Sequence, residues 1–383
     1  MFKLKSLNKF NIRRLIHETS LNKDSSNINT NEQIAEANKI WENSFWLSSD
    51  NDIKIKEFED TGLFTLNRPN SLNSLTPGIC KIIIEGSGDK AFCSGGYLVM
   101  PYSFRNLSTE HYESKKSKTF QEYYSLGYKI ATLKVPFIAL MNNRVMGLGS
   151  ALSLQAKYRI VTERSIYAMP EVTIGFFPDA TTCYTFPRLQ NHIGYLLGVT
   201  GYQLTGPDIF HSGIATHYVP SEKLEDLKYK LLKSDGSNIE EIINKYHVNT
   251  SSNNFSLNPF IDIIENCFSA PTVEEILERL KKDDSEWSKR IIGMINTASP
   301  TSLKLALLII QKGKDLDLAN CARMDFRMGY RLLSHGSDMY EGLNVFFKKS
   351  KKPQWNPSRL EDVPMDRVRS YLDNLPPEKE LKL

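Results

Sequence analysis

Hydrophobic and polar positions change rhythm along this chain, and each rhythm predicts a different element. From Asp52 to Phe58 they alternate, Asp60-Thr61-Gly62 makes a turn, and Leu63 to Leu66 resumes the apolar pattern. That predicts a β-hairpin, because successive strand residues face opposite sides of a sheet. Lys81 to Glu85 carries Ile82-Ile83-Ile84, and Val135 to Met141 is a second unbroken apolar run. Continuous runs of this kind suit strands buried on both faces. Helical spacing marks Glu32 to Phe45 near the start and Phe120 to Leu133 and Leu148 to Ala156 among the strands, so strand and helix alternate in an α/β core. From Ser221 the spacing becomes helical throughout: Glu222 to Lys233, Ile239 to Tyr246, Ile261 to Cys267, Val273 to Lys281 and Ser302 to Lys312. Ser299-Pro300-Thr301-Ser302 supplies a start signal for the last of these and Gly313 a stop.

Length and composition sharpen this picture. At 383 residues the chain has room for two or three units of roughly 150 residues. We expect residues 1–31 to be a targeting segment and linker, 32–220 an α/β core and 221–383 a helical region. The balance of 48 Lys plus Arg against 44 Asp plus Glu leaves a formal charge of +4, too little to signal nucleic-acid binding by charge alone. Five scattered cysteines show no C-x-x-C pair, so neither a disulfide scaffold nor a structural metal site is expected. No stretch approaches the roughly twenty apolar residues of a membrane-spanning helix, so no membrane partner is expected. The first two dozen residues carry Lys3, Lys5, Lys9, Arg13, Arg14 and Lys23, no acid before Glu18, and apolar residues that gather on one helical side. This is the pattern of a mitochondrial transit peptide, followed by an Asn/Ser-rich linker from Asn22 to Asn31.

For chemistry, the sequence lacks a G-x-S-x-G elbow, a Walker loop and an H-E-x-x-H helix, and Gly147-Leu148-Gly149-Ser150-Ala151-Leu152 fails the dinucleotide fingerprint at its last position. Two glycine-containing turns remain, Ser94-Gly95-Gly96 after the isoleucine strand and Gly147-Leu148-Gly149 after Val135 to Met141. Glycines in such turns let backbone N–H groups approach a ligand, and either turn can equally be a plain strand-to-helix connection. Glu171 and Asp179 lie eight residues apart among Met169, Pro170, Phe176, Phe177 and Pro178. Carboxylates in apolar surroundings have the raised pKa that acid–base work requires.

Taken together, Leu66-Asn67-Arg68-Pro69 with Leu72-Asn73, Ala91-Phe92-Cys93-Ser94-Gly95-Gly96, Ala168-Met169-Pro170-Glu171 and Phe177-Pro178-Asp179 resemble the crotonase (enoyl-CoA hydratase/isomerase) superfamily. Thr200-Gly201, Gly213-Ile214-Ala215-Thr216-His217 and Ser299-Pro300-Thr301-Ser302-Leu303-Lys304 extend the likeness over most of the chain. Within it, the glutamate after Met-Pro and the following Phe-Pro-Asp are similar to the branch that hydrolyses thioesters. The resemblance implies a spiral of ββα turns followed by a helical C-terminal region. It implies a mitochondrial matrix hydrolase of acyl-CoA thioesters, acting on 3-hydroxyisobutyryl-CoA in valine breakdown. Glu171 and Asp179 would be catalytic, the N–H groups of Gly96 and Leu148 would bind the thioester oxygen, and Tyr123 would line the substrate. No cofactor or metal is implied, coenzyme A arriving as part of the substrate, and a homo-oligomer is compatible with it.

The chain also departs from that pattern. Gly-Gly-Asp reads Gly95-Gly96-Tyr97, and three consecutive glycines read Gly147-Leu148-Gly149. If the turn needs a positive φ at position 148, leucine strains it and Leu148→Gly would relax it. Thr181 and Thr182 replace the glycines that follow Phe-Pro-Asp, and an acid pair reads Glu122-Tyr123. Only fourteen residues, Asn67 to Cys80, separate two expected strands, too few for a crossover helix. A second expectation therefore stands beside the enzyme: a crotonase-fold protein that has lost catalysis and serves as a structural subunit of the mitochondrial small ribosomal subunit. Lys348, Lys349, Lys351 and Lys352 would join the basic start in facing RNA there.

Overall fold

The structure, a computed structural model, describes residues 53–58, 61–66, 82–86, 88–96, 98 and 109–383, the last stretch without 235, 251–254, 335 and 349–351. The basic start, the predicted helix at 32–45, the short interval from Asn67 to Cys80, Tyr97, and Lys349 and Lys351 of the late lysine cluster lie outside the described residues. Strands β1 (Ile53–Phe58) and β2 (Thr61–Leu66) form the expected antiparallel hairpin, Ile53 opposite Leu66 and Phe58 opposite Thr61.

Eight further strands divide between two sheets. β3 (Ile82–Glu85), β5 (Phe137–Met141), β7 (Tyr158–Val161) and β10 (His217–Tyr218) form one, parallel throughout, in the order β10-β7-β5-β3. β4 (Ala91–Cys93), β6 (Arg144–Met146), β8 (Ile166–Ala168) and β9 (Leu204–Thr205) form the other, in the order β4-β6-β8-β9, with only β9 antiparallel to its neighbour. The chain visits the first sheet, then the second, then a helix. It goes from β3 to β4 to α1 (Thr109–Ala131), from β5 to β6 to α2 (Leu148–Ser153), and from β7 to β8 to a run of short helical turns ending in α3 (Ile193–Thr200). This repetition is the spiral of ββα turns that the motif order implied.

The unbroken apolar run of β5 follows from burial on both faces. Phe137, Ala139 and Met141 enter the main core, whereas Ile138 and Leu140 face a second cluster with Tyr158 and Ile160. That second cluster is closed by Leu227 and Leu231 of α4 (Leu224–Lys233) and Ile243 of α5 (Ile239–Tyr246). The isoleucine run behaves differently from expectation. Among the described residues β3 is at the edge of its sheet and Ile82 to Ile84 are half-buried, so β-branched content marked a strand there without marking a central one.

Helices α6 (Ile261–Phe268), α7 (Val273–Asp283), α8 (Glu286–Thr297), α9 (Pro300–Gly313), α10 (Leu318–Leu332) and α11 (Asp338–Lys348) complete the C-terminal region. Ser299 caps α9, its hydroxyl accepting from the N–H of Ser302 at 3.1 Å, as its sequence signal predicts. α10 lies along α1, and α9 lies against α3. The main core runs without interruption from Phe92 in the spiral to Leu381 near the C-terminus. Among the described residues no single helix is long and apolar enough to cross a membrane.

Candidate active site

Three adjacent parallel strands, β4, β6 and β8, deliver the sequence-predicted groups at the same end of one sheet. After β4 comes Ser94-Gly95-Gly96, with Gly95 at φ 114°. β6 ends in Gly147, which caps α2 at φ 50° and ψ −117°, and β8 runs through Met169-Pro170 into Glu171. A Cβ built on Gly147 would stand 2.9 Å from Glu171 Oε1 and 3.3 Å from Gly95 Cα. Both glycine turns therefore meet beside one carboxylate, and a side chain at position 147 would press on it. Carboxyl ends of parallel strands are the usual place for ligands in α/β sheets.

Glu171 opens a 3-10 turn, Glu171–Ile174, that the C-terminal region holds in place: Ser299 donates its N–H to Val172 O at 3.0 Å. Glu171 Oε2 is shut off from solvent and has no hydrogen-bond partner. Asp179, 3% exposed, is better provided for: Tyr124 donates its hydroxyl to Oδ2 at 3.0 Å, and the Tyr123 hydroxyl lies close by. The two tyrosine rings stand edge-on, 4.8 Å apart.

Among the described residues, neither carboxylate is in an ion pair. Burial pushes Glu171 well above the ordinary carboxylate range, and the charge of Asp179 adds to the rise. Burial also raises Asp179 to about 7, against the opposing hydrogen bonds from Tyr123, Tyr124 and the backbone. Both carboxyls are thus held above the ordinary carboxylate range, and the charge on one opposes ionisation of the other. Cys93 lies nearby but is pushed up to about 12 by burial and keeps its proton, so its thiol is no nucleophile. Among the described residues no group of three or more His, Cys, Asp or Glu is placed to hold a metal.

Two expectations about the altered turns need correction. Leu148 does not carry a positive φ, which falls on Gly147; Leu148 is the first residue of α2, with helical geometry. Its N–H lies in the first helical turn, which has no intrahelical acceptor to offer. Leucine is therefore tolerated, and its side chain is packed at 2% exposure. Leu148→Gly is accordingly expected to lower the melting temperature through a lost core side chain, worth roughly 2–5 kcal/mol, without raising kcat. Thermal unfolding alongside thioesterase kinetics would show this, and a rise in kcat would restore the strained-turn reading. Of Thr181 and Thr182, only Thr181 takes the left-handed conformation, at φ 60°, and Ala180 shares it at φ 61°. Thr182 begins a short helical turn, so the missing glycine matters at 181 and not at 182.

Gly96 is exposed, and a Cβ there would meet nothing within 4 Å, so its backbone borders open space beside the Gly95–Gly147 contact. Tyr124 and Asp325 were not singled out by the sequence. Asp325 had a signal: an acid set among Cys321, Ala322, Met324, Phe326 and Met328 of α10, all of them buried with it. Tyr124 had none, since neighbouring helix positions point about 100° apart and nothing predicts that both tyrosines reach one carboxylate. Its placement depends on Gly329 of α10, where an added Cβ would overlap the Tyr124 hydroxyl. Gly329→Ala should push that hydroxyl off Asp179 and lower kcat by roughly tenfold or more, since small misplacements near the reacting groups are costly. Kinetics of Gly329→Ala beside Tyr124→Phe test this; an alanine variant with unchanged kcat would refute the dependence.

A family model described as Enoyl-CoA hydratase/isomerase matches residues 76–372. The chain is 36% identical over 345 residues to "3-hydroxyisobutyryl-CoA hydrolase, mitochondrial" of Homo sapiens, covering 82% of this chain and 86% of that protein. The protein of the same name from Dictyostelium discoideum is 33% identical, over 83% of this chain and 90% of its own length. Among solved structures, a carnitinyl-CoA dehydratase from Mycobacterium thermoresistibile superposes with a TM-score of 0.73 at 26% identity, over 87% of this chain and 99% of that one. An enoyl-CoA hydratase from Rhodobacter sphaeroides 2.4.1 gives 0.72 at 26% identity, over 87% of this chain and 100% of that one. With a match of this length, and with the spiral fold as the family resemblance implied, the chain belongs to the enoyl-CoA hydratase/isomerase family, on its 3-hydroxyisobutyryl-CoA hydrolase branch.

Proposed function

We propose that the protein hydrolyses 3-hydroxyisobutyryl-CoA to 3-hydroxyisobutyrate and coenzyme A in the mitochondrial matrix. The observation that carries this is Glu171, a buried carboxylate with one oxygen free of partners, facing two backbone turns at the end of one sheet. In this reading the N–H groups of Gly96 and Leu148 hold the thioester oxygen, and stabilising the charge that develops there is typically the largest catalytic term. Glu171 promotes attack on the carbonyl carbon, either by taking a proton from the attacking water or by attacking itself to give a mixed anhydride that water then hydrolyses to the free acid and the carboxylate. The tetrahedral intermediate then expels the coenzyme A thiolate, which leaves as the thiol once protonated. Asp179 already accepts from Tyr124 and has lone pairs left for the substrate hydroxyl or for water. Tyr123 lines the same place, its hydroxyl beside Asp179. No relative supports the ribosomal alternative; those at 33–37% identity are hydrolases by name.

Purified protein is expected to release coenzyme A from 3-hydroxyisobutyryl-CoA, with a rate that rises with pH. Glu171 must lose its proton to act, and burial together with Asp179 makes that loss late. The acidic limb of kcat/KM should therefore lie well above the 4–5 of a solvated carboxylate. Absence of hydrolysis across pH 6–9 would overturn the proposal.

A further inference from the structure

Behind Asp179 stands a third carboxylate that the mechanism does not use. Asp325 of α10 is wholly buried and, among the described residues, has no ion-pair partner. Both of its oxygens are committed: Oδ2 accepts the N–H of Thr181 at 2.8 Å, and Oδ1 accepts from Cys183 Sγ at 3.1 Å. Thr181 is the second of two consecutive non-glycine residues in the left-handed conformation, and the first, Ala180, directly follows Asp179. Residues with a Cβ adopt that conformation only when their surroundings over-determine it. Here Gln155 Nε2 donates to the Thr181 hydroxyl at 3.1 Å, and Thr182 returns its N–H to Asp179 O at 3.1 Å. Asp325 supplies the one acceptor for the left-handed N–H itself.

We propose that Asp325 is a positioning residue for thioester hydrolysis: it holds the Ala180–Thr181 turn left-handed and thereby sets where the Asp179 carboxylate stands. The proposal rests on the reading of Asp179 as the acceptor for substrate hydroxyl or water. The same helix places Gly329 beneath the Tyr124 hydroxyl, so α10 governs both the turn that carries Asp179 and a tyrosine that orients it. Burial, with the charge of Asp179 added, pushes Asp325 well above the ordinary carboxylate range. Its role is that of a hydrogen-bond acceptor, not of a charge, so asparagine can fill it.

The test uses the full chain with Asp325→Asn, Asp325→Ala and Asp325→Ala/Thr181→Gly, read by kcat and KM on 3-hydroxyisobutyryl-CoA and by hydrogen–deuterium exchange over 179–184. Asp325→Asn should keep kcat within about threefold, because its amide oxygen still accepts from Thr181. Asp325→Ala should lower kcat by about tenfold or more with KM changed little, and speed exchange at 180–182, since the turn loses its anchor. Adding Thr181→Gly removes the penalty for the left-handed conformation and should restore most of kcat; if Asp325→Ala fails to fold alone, the same glycine should restore folding. The proposal is overturned if Asp325→Ala leaves kcat and exchange unchanged, if Asp325→Asn falls as far as Asp325→Ala, or if glycine rescues neither activity nor folding. Should the unmodified protein hydrolyse no thioester, the functional reading fails by itself, and the exchange measurement still decides whether Asp325 holds the turn.

Discussion

Replacing Glu171 with glutamine is expected to lower kcat by roughly 10² or more while KM changes little, because the amide keeps the shape of the side chain and loses its basicity. The same substitution should make the protein more stable at alkaline pH. Glu171 has a folded-state pKa raised by burial and by Asp179, so the native state binds its proton more tightly than the unfolded chain does. Stability from this group is therefore fully present below the unfolded value of about 4.5 and is lost as pH rises through the folded one. Glutamine removes that loss. The melting temperature of Glu171→Gln should match the unmodified protein near pH 4.5 and exceed it increasingly toward pH 8. A fall in kcat of less than tenfold would remove Glu171 from the chemistry, and a melting curve without this pH dependence would remove it from a buried, unpaired position.

The second large effect is expected at Gly147. Its φ of 50° with ψ of −117° is open to glycine and strained for other residues, and a Cβ would press on Glu171 Oε1 at 2.9 Å. Gly147→Ala should cost about 1–3 kcal/mol of stability through backbone strain. It should also lower kcat by tenfold to a hundredfold, because it separates the turns that meet at the carboxylate. Gly96→Ala is the control for stability, since nothing lies within 4 Å of its added methyl group. Equal melting temperatures for the two variants would contradict the convergence of the turns on Glu171.

What the sequence disclosed and what it withheld divide along physical lines. The rhythm of β5 and of the C-terminal helices was legible because burial stamps a period on apolar residues. α5 falls at Ile239–Tyr246, as its pattern predicts. α1 begins at Thr109, well before the apolar residues near Phe120, because Thr109 to Thr119 is too polar to show a period. Glu171 and Asp179 were legible as acids in apolar company. The conformation of the turn after Asp179 was not: residue type locates a missing glycine, but only backbone angles show that Ala180 and Thr181 are left-handed and Thr182 is not. Likewise Leu148 looked strained by comparison with relatives, whereas in the folded chain Gly147 takes the unusual angles.

The uninterrupted core from Phe92 to Leu381 has one more consequence. The C-terminal helices back the candidate site and are not a detachable appendage: α10 lies behind Asp179, and Ser299 at the start of α9 steadies the turn that bears Glu171. Substitutions that loosen those helices should therefore be felt as lost turnover before they are felt as lost protein. Damage far along the chain would then masquerade as damage to Glu171 and Asp179 themselves.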